Sequence, residues 1–301
     1  MSLVSFVMPV WNPRRDWFAQ AVDSVLAQGE CDVDLIVVDD GCPEPVDRLL
    51  TGVEDTRLRV IRIEHGGESA ARNAGIAAAR GDHIRFVDAD DVLAAGSTAR
   101  LVQLAGGSDD VVAYGATMFC DPELRPLWTM TCRVDGDARA DCLVGRFTVR
   151  HTSLLFPRAV VDATGEWNTG MTVSQDWDYV LRALEHANVT GDRDIASYYR
   201  KHATSATADI DAGVQSARRI VRGYFERHPE QRETRLQQRA DASLEAALAR
   251  TYFARGERRA AFAAARRSVG LDARALPSEV GRSLPALVGL ARRIARRSRR
   301  A

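Results

Sequence analysis

The 301-residue sequence lacks any apolar run of about 18 residues, the length at which a segment becomes a candidate transmembrane helix. Its start, Met1-Ser2-Leu3-Val4, shows no basic segment and no small-residue cleavage site, so no signal peptide is predicted. Cysteine is scarce: there are five, irregularly spaced and without the close pairs of a structural zinc site. We therefore expect five reduced thiols in a cytoplasmic protein.

Charge is plentiful, but its sign changes along the chain. Residues 211–301 hold 21 arginines and 9 acidic residues, whereas the residues before them hold 20 basic and 32 acidic residues. The formal net charge of zero therefore conceals +12 in one region and −12 in the other. An acidic region suits a metal ion, and a basic region suits an anionic surface. The charge pattern thus indicates two functional regions.

The acidic region is organised around residues 84–91, an apolar run that ends in the carboxylates Asp88, Asp90 and Asp91. Its length and composition predict a buried strand of an open parallel sheet. Carboxylates crowded at a strand end repel one another unless a divalent cation or hydrogen-bond donors compensate. Taken alone, the stretch is equally compatible with a surface loop of solvated aspartates.

The remainder of the acidic region favours the strand over the loop, because residues 34–41 form a second apolar run that ends in paired acids, Asp39 and Asp40. Strand and helix alternate, which predicts a doubly wound, mostly parallel α/β sheet whose acidic strand ends meet at one ligand-binding edge. Gly66 and Gly67 allow a close backbone approach there, and the helix from about Ser69 would point its amides at an anion. The predicted strands are 3–10, 34–41, 58–63, 84–91, 111–119 and 151–156, and the predicted helices begin at Asp16 or cover 69–80 and 176–187.

The basic region is predicted to be helical from about Asp211 onward, with an antiparallel helix pair around Arg255-Gly256-Glu257. Residues 284–301 combine apolar residues with six arginines. This pattern is typical of an amphipathic helix on an anionic membrane surface. A solvated tail is an equally good interpretation.

Four stretches of the acidic region resemble the family 2 glycosyltransferases, which are inverting sugar transferases of the GT-A fold. They are VSFVMPVWN at 4–12, IVVDDG at 36–41, GESAARNAG at 67–75 and DADD at 88–91. Further on, QDWDYVLR at 175–182 is similar to the acceptor-side motif, and YRKHATS at 199–205 resembles the stretch that closes many of these catalytic domains. The resemblance implies a catalytic domain over 1–210, with a nucleotide-binding half to about 95 and an acceptor half after it. It leaves the helical extension over 211–301 unexplained.

The resemblance also implies roles for individual residues. Asp176 would be the catalytic base, with Gln175, where the family usually has Glu, and Trp177 on the acceptor side. Asp90 would hold Mn²⁺ or Mg²⁺, with His202 approaching the metal or the diphosphate. The residues implied in donor-nucleotide binding are Pro9, Val10, Asn12, Asp39, Asp40, Arg72, Asn73, Asp88 and Ala89.

These roles have ordinary structural alternatives. Asp176 and Asp178 lie where a helix begins, so both could simply favour the helix N-terminus electrostatically, and for Asp178 we keep that interpretation. A lone histidine such as His202 is more often structural than a ligand. Trp128, predicted in a loop, could equally be core or binding surface.

The function implied is inverting transfer of a sugar from a UDP- or dTDP-linked donor to a hydroxyl acceptor of the cell-envelope glycan, glycolipid or secondary-metabolite kind. The partners expected are that donor, the acceptor and, through the basic extension, the inner face of an anionic membrane; no nucleic acid is expected. One alternative is a catalytically silent nucleotide-sugar-binding or scaffold protein. Another, a sugar nucleotidyltransferase, is disfavoured because residues 8–13 offer no glycine-rich basic loop for a triphosphate.

Overall fold

The structure is a computed structural model that describes residues 2–29, 31–202 and 210–272. It divides into two compact units. The sheet unit comprises Met1–Arg139 and Phe147–Ala208, and the helical unit comprises Ala140–Arg146 and Asp209–Ala301. These units differ from the predicted division at 210 in the short segment 140–146. The predicted amphipathic segment 284–301 lies outside the described residues.

One sheet of nine strands forms the framework of the described part of the sheet unit, in the order β3-β2-β1-β4-β8-β6-β9-β5, with β7 paired to β6. The strands are β1 (Leu3–Val10), β2 (Asp32–Asp39), β3 (Leu58–Arg62), β4 (His83–Phe86), β5 (Val92–Leu93), β6 (Val111–Cys120), β7 (Pro126–Met130), β8 (Leu154–Pro157) and β9 (Asn188–Arg200).

The first four strands are parallel to one another. Strands β1 and β2 are buried almost throughout, which is why they appear in the sequence as continuous apolar runs rather than alternating ones. Beyond β4 the sheet is mixed: β8 is antiparallel to both β4 and β6, whereas β9 is parallel to β6. The predicted α/β class with a mostly parallel sheet is confirmed, and the mixed second half was not foreseen.

The described residues also form α-helices. They are α1 (Arg15–Leu26), α2 (Val46–Leu49), α3 (Glu68–Ala78), α4 (Ser97–Ala105), α5 (Arg139–Leu143), α6 (Arg158–Thr164), α7 (Gln175–Ala183), α8 (Ile210–Arg227), α9 (Arg235–Ala254) and α10 (Arg258–Leu271). Helix α3 lies so close to β1 that a Cβ at Gly75 would overlap the side chain of Val7. The glycine that ends the 67–75 motif therefore permits this close approach.

Several predicted boundaries were wrong. The strand predicted over 151–156 begins only at Leu154, because His151–Ser153 form a 3-10 turn. Trp128 was predicted in a loop but lies in β7, which pairs with β6 across a tight turn. The helices predicted to reach 80 and 187 end earlier, at Ala78 and Ala183. Ala79 is already extended, and β9 begins at Asn188.

Arg85 connects distant parts of the sheet unit from inside its core. It is fully buried, and its guanidinium donates to Thr98 Oγ1 at 2.7 Å, Ser97 Oγ at 3.1 Å, Thr152 O at 2.9 Å and Ala196 O at 3.4 Å. Burial among these neutral acceptors lowers the pKa of Arg85 to about 9. The side chain thus joins β4 to α4, to the 3-10 turn and to β9.

In the helical unit, α9 and α10 form a pair joined at Arg255-Gly256-Glu257, which confirms the predicted helix pair. The small side chains of Ala246, Ala249 and Ala264 are buried between the helices, and Ser268 Oγ donates to Ala242 O at 2.7 Å. No helix among the described residues is long and apolar enough to cross a membrane.

Candidate active site

Three carboxylates converge just beyond the carboxyl end of β4. Asp88, Asp90 and Asp91 each offer an oxygen, and these oxygens lie within 4.8 Å of one another. Burial and the negative charge of its neighbours raise the pKa of Asp90, and the same two causes raise the pKa of Asp91 well above its usual value. The predicted acidic cluster at the end of residues 84–91 therefore exists in the structure.

The members of this cluster differ in how they are held. Asp91 is fully buried and accepts hydrogen bonds from the Arg200 amide at 3.1 Å and from Thr152 Oγ1 at 3.2 Å. Asp90 is more open, and its Oδ2 lies 2.7 Å from Nε2 of His202. The structure thus brings together Asp90 and His202, the two residues for which the resemblance implied a metal site.

Asp88 contacts two basic side chains. Arg72 donates to Asp88 Oδ1 at 2.8 Å, and Nε2 of His151 lies 3.1 Å from the same oxygen. Burial alone would raise the pKa of Asp88, but the charges of His151 and Arg72 outweigh it and hold the pKa far below its usual value. The pKa of Asp88 is therefore shifted in the opposite direction from those of Asp90 and Asp91.

Arg72 itself is 1% exposed, so its guanidinium is an internal group. Besides Asp88 it binds Glu68 at 3.2 Å, and its Cζ lies 4.5 Å from the ring centroid of Trp167. Asn73, the next residue, donates from its amide to Trp167 O at 3.0 Å and accepts from the Trp167 amide at 2.8 Å. Arg72 therefore holds the carboxylate of Asp88, and Asn73 holds the backbone at Trp167.

The predicted catalytic base lies on α7 and is joined to the acidic cluster by a basic pair. Arg150 Nη1 donates to Asp176 Oδ2 at 3.1 Å, and Nδ1 of His151 lies 3.8 Å from that oxygen, too far for a hydrogen bond. The imidazole thus stands between Asp176 and Asp88. Burial tends to raise the pKa of Asp176, but Arg150 and His151 hold it far below its usual value.

Asp176 lies in the first turn of α7. Ser174 adopts a left-handed conformation with φ 59° and supplies no side-chain cap, and the helix begins at Gln175. Asp178 binds Arg182 at 3.0 Å, one turn further on, so it stabilises its own helix. Gln175 and Trp177 are half-buried beside Asp176, where the acceptor side was predicted.

Asp39 and Asp40 do not join the other carboxylates. Asp39 accepts from the Cys42 amide at 2.7 Å and from Arg62 at 2.6 Å. Asp40 accepts from the amides of Gly66 and Gly67 at 2.8 and 3.0 Å. Asp39 and Asp40 thus lie at the carboxyl edge of the parallel strands, as predicted, but outside the group formed by Asp88, Asp90 and Asp91. The same bonds occupy the amides of Gly66 and Gly67, where a close backbone approach to a ligand was predicted.

The remaining implied donor residues lie in or directly after two of the parallel strands. Pro9 and Val10 are buried at the end of β1, and Asn12, with φ 43°, follows in the exposed turn. Ala89 lies between Asp88 and Asp90. The indole of Trp11 is 48% exposed and stacks on the His65 ring with centroids 3.9 Å apart, and His65 Nδ1 lies 2.9 Å from Asp40 Oδ2.

Sequence reasoning missed Arg150, His151 and Trp167. His151 was assigned to the start of a strand and Arg150 to no element, although a basic pair directly before an apolar run in an otherwise acidic region was the available signal. Trp167 is 1% exposed and stacks on Tyr179 with centroids 4.2 Å apart. Nothing in its local sequence indicates that it would lie beneath Arg72.

The chemistry of the acidic cluster fits a hard divalent cation. Such ions prefer oxygen ligands, and Mn²⁺ also accepts an imidazole nitrogen. Asp90 is the most open of the three carboxylates and has His202 next to it, so these two residues, with Asp88 or Asp91 behind them, would hold Mg²⁺ or Mn²⁺. A cation would also relieve the repulsion that raises the pKa values of Asp90 and Asp91.

Comparison with known proteins places this arrangement in a family. The sequence profile described as "Glycosyl transferase family 2" matches residues 5–162, more than half of the chain. The chain belongs to glycosyl transferase family 2, as the resemblance of its motifs predicted.

Two curated relatives are similar to the chain over part of its length. It is 38% identical over 116 residues to "Uncharacterized glycosyltransferase EpsJ" of Bacillus subtilis, covering 38% of this chain and 33% of that protein. It is 34% identical over 140 residues to "Succinoglycan biosynthesis protein ExoO" of Rhizobium meliloti, covering 42% of this chain and 40% of that one. The chain therefore spans less than half of the length of these relatives.

A solved structure shows the same fold. The crystal structure of S. aureus TarS 1-349 in complex with UDP-GlcNAc aligns with a TM-score of 0.61 at 15% identity, covering 91% of this chain and 83% of TarS 1-349. A further crystal structure contains the same TarS segment in complex with UDP, with a TM-score of 0.58. The agreement supports the predicted GT-A-like fold.

Proposed function

We propose that this protein is an inverting glycosyltransferase that moves a sugar from a UDP- or dTDP-linked donor to a hydroxyl group of a glycan, glycolipid or secondary metabolite. The observation that carries the proposal is the connected site in which Asp88, His151, Arg150 and Asp176 join an acidic strand end to a carboxylate on α7. Membership of the family and the likeness to TarS, which was crystallised with UDP and UDP-GlcNAc, support a nucleotide-sugar donor.

The donor nucleotide would lie along the carboxyl ends of β1, β2 and β4, where open α/β sheets bind ligands. Asp88 is ionised and rigidly held, so it can accept a hydrogen bond from a ribose hydroxyl or bind a cation. Arg72 would act on the donor through Asp88, since its own guanidinium is buried. The exposed face of Trp11 offers a stacking surface for the base close to Asp40 and Asn12.

Mn²⁺ or Mg²⁺ at Asp90 and His202 would supply Lewis-acid stabilisation of the negative charge on the leaving nucleoside diphosphate. The protein's own contribution is to keep the carboxylates in place. Asp91 is anchored by the Arg200 amide and Thr152, and Arg200 also donates to the carbonyl of Asp90 at 2.9 Å. This scaffold holds the backbone of the cluster rigid while the Asp90 side chain remains accessible.

Asp176 would accept the proton of the attacking hydroxyl on the face opposite to the leaving group, which gives inversion in one displacement. The neighbouring Arg150 and His151 lower the pKa of this carboxyl group, which favours the ionised form that can accept a proton. Arg150 and His151 would also orient Asp176.

The donor assignment is tested by thermal unfolding with a panel of nucleotide sugars and Mn²⁺. A ligand that binds only the folded state at 100 times its dissociation constant adds about 2.7 kcal/mol to the free energy of unfolding. We expect UDP- or dTDP-sugars to raise the melting temperature by several degrees and GDP- and CMP-sugars to leave it unchanged. A stabilising donor that is neither hydrolysed nor transferred would support the catalytically silent alternative, and a panel without effect would refute a nucleotide-sugar function.

We also propose that the basic extension attaches the protein to an anionic membrane that carries the acceptor. Each arginine near such a surface contributes about 1 kcal/mol, and the interaction weakens with added salt. Deleting residues 284–301 should therefore reduce sedimentation with phosphatidylglycerol liposomes but not with phosphatidylcholine liposomes, and donor hydrolysis should persist. Equal partitioning of the truncated and full-length chains would show that the segment is only a solvated tail or an oligomerisation element.

A further inference from the structure

Three aromatic side chains lie side by side on one face of the sheet, one on each of three neighbouring strands. The rings of Trp128 on β7 and Phe119 on β6 are stacked almost in parallel, with centroids 3.8 Å apart and 9° between their planes. The centroids of Phe119 and Tyr199 on β9 are 4.9 Å apart. Strand register pairs Phe119 with both partners, so this aromatic row is built into the sheet.

The aromatic row ends at the proposed catalytic base. The guanidinium carbon of Arg150 lies 4.5 Å from the ring centroid of Tyr199, and the same guanidinium binds Asp176 at 3.1 Å. Each step from Trp128 to Asp176 is thus shorter than 5 Å. The row therefore connects the outer strand of the sheet directly with the acceptor side of the site.

Exposure changes sharply along the row. Phe119 is 8% exposed, whereas Trp128 is 47% exposed and is covered on one face by Phe119. The turn before β7 is held by Arg125, which binds Asp121 at 2.6 Å and Glu123 at 3.0 Å. Trp128 therefore presents its other aromatic face to solvent, near the turn at 121–125 that precedes β7.

We propose that Trp128 is a binding platform for a sugar ring of an oligosaccharide acceptor, at some distance from the hydroxyl that is glycosylated. The inference rests on the proposed function and specifies its acceptor. The C–H groups on one face of a pyranose carry partial positive charge and match the negative face of an indole. Because Phe119, Tyr199 and Arg150 separate Trp128 from Asp176, a single sugar unit at the base would not reach the platform.

The chain provides a matched control for this platform. Leu127 precedes Trp128 on β7 and is more exposed, at 55%, and it lies at the register shift between β6 and β7, where it pairs with no residue of β6. Leu127→Ala removes exposed apolar surface from the same strand without touching the aromatic row. Trp128→Phe keeps an aromatic ring over Phe119 and narrows the platform.

The test compares KM and kcat of the full chain and its variants with mono-, di-, tri- and tetrasaccharides of glucose, galactose and N-acetylglucosamine, at saturating donor and Mn²⁺. For the longer acceptors we expect Trp128→Ala to raise KM about tenfold, the equivalent of a strong aromatic contact, and Trp128→Phe to restore part of the loss. Leu127→Ala should keep the wild-type KM. The effect of Trp128→Ala should diminish as the acceptor is shortened to a monosaccharide.

The outcomes separate this inference from the proposed function. A wild-type protein that binds and hydrolyses no nucleotide sugar would refute the proposed function itself. An active wild type that uses no oligosaccharide, or a stably folded Trp128→Ala protein with unchanged KM for every acceptor, would refute the platform. If Trp128→Ala altered the molar mass in light scattering while KM stayed the same, the exposed ring would be a protein contact and the inference would be wrong.

Discussion

Replacing Asp176 by asparagine is expected to reduce sugar transfer by a factor of about 10² to 10⁴, the usual contribution of a positioned general base. Asn keeps the size of the side chain but cannot take up a proton at neutral pH. Donor binding should remain nearly unchanged, since Asp88, Asp90 and the β1 turn lie on other elements. The measurements are the transfer rate, the affinity for the nucleoside diphosphate and the melting temperature.

Asp178→Asn is the matched control for Asp176→Asn. It removes a carboxylate from the same turn of α7, and that carboxylate is also paired with an arginine, Arg182. If Asp176 only stabilised the start of the helix, both variants would lose roughly 0.5 to 2 kcal/mol of stability and retain turnover. Near-normal transfer by a folded Asp176→Asn protein would show that the base lies elsewhere, and a selective loss in Asp178→Asn would make that residue the candidate.

Removing the metal site is expected to have the second large effect. Lewis-acid stabilisation of a leaving diphosphate is worth several kcal/mol, so Asp90→Ala should lower the transfer rate by at least about a hundredfold. Excess chelator should have the same effect on the wild type, and added Mn²⁺ or Mg²⁺ should reverse it there but not in the variant. Thermal unfolding with and without Mn²⁺ measures binding of the ion independently of catalysis.

The control for Asp90→Ala is Asp162→Ala, which removes a carboxylate that is 61% exposed and pairs with Arg158 on the surface of α6. Its activity and its response to Mn²⁺ should be those of the wild type, because exposed ion pairs contribute little. Full activity of the wild type in excess chelator, or of Asp90→Ala, would exclude the proposed metal role.

The parts of the fold that sequence predicted best are those in which the local pattern and the tertiary environment agree. Strands β1 and β2 are buried on both faces, so a continuous apolar run marked them. Strand β9 was missed, although it is the longest of the described strands, because its sequence NVTGDRDIASYYR has no apolar period. Its extended conformation depends on pairing with β6 and β5, which are remote in the sequence.

In the candidate site, too, local patterns were predictable and contacts between remote residues were not. The cluster of Asp88, Asp90 and Asp91 could be predicted because all three follow one strand. The contacts of Arg150 with Asp176 and of His151 with Asp88 join residues 26 and 63 positions apart, which no local pattern reveals. The roles of Asp176 and Asp90 in transfer are predictions that the variants above would test.

The buried bonds of Arg85 bear on the order in which the chain folds during synthesis. Its partners Thr152 and Ala196 lie 67 and 111 residues further along the chain. Until a ribosome has produced them, the guanidinium would have to be enclosed with unsatisfied donors, which costs free energy. We therefore expect strands β1 to β4 to leave the core around Arg85 incomplete until the turn at Thr152 and strand β9 have been synthesised.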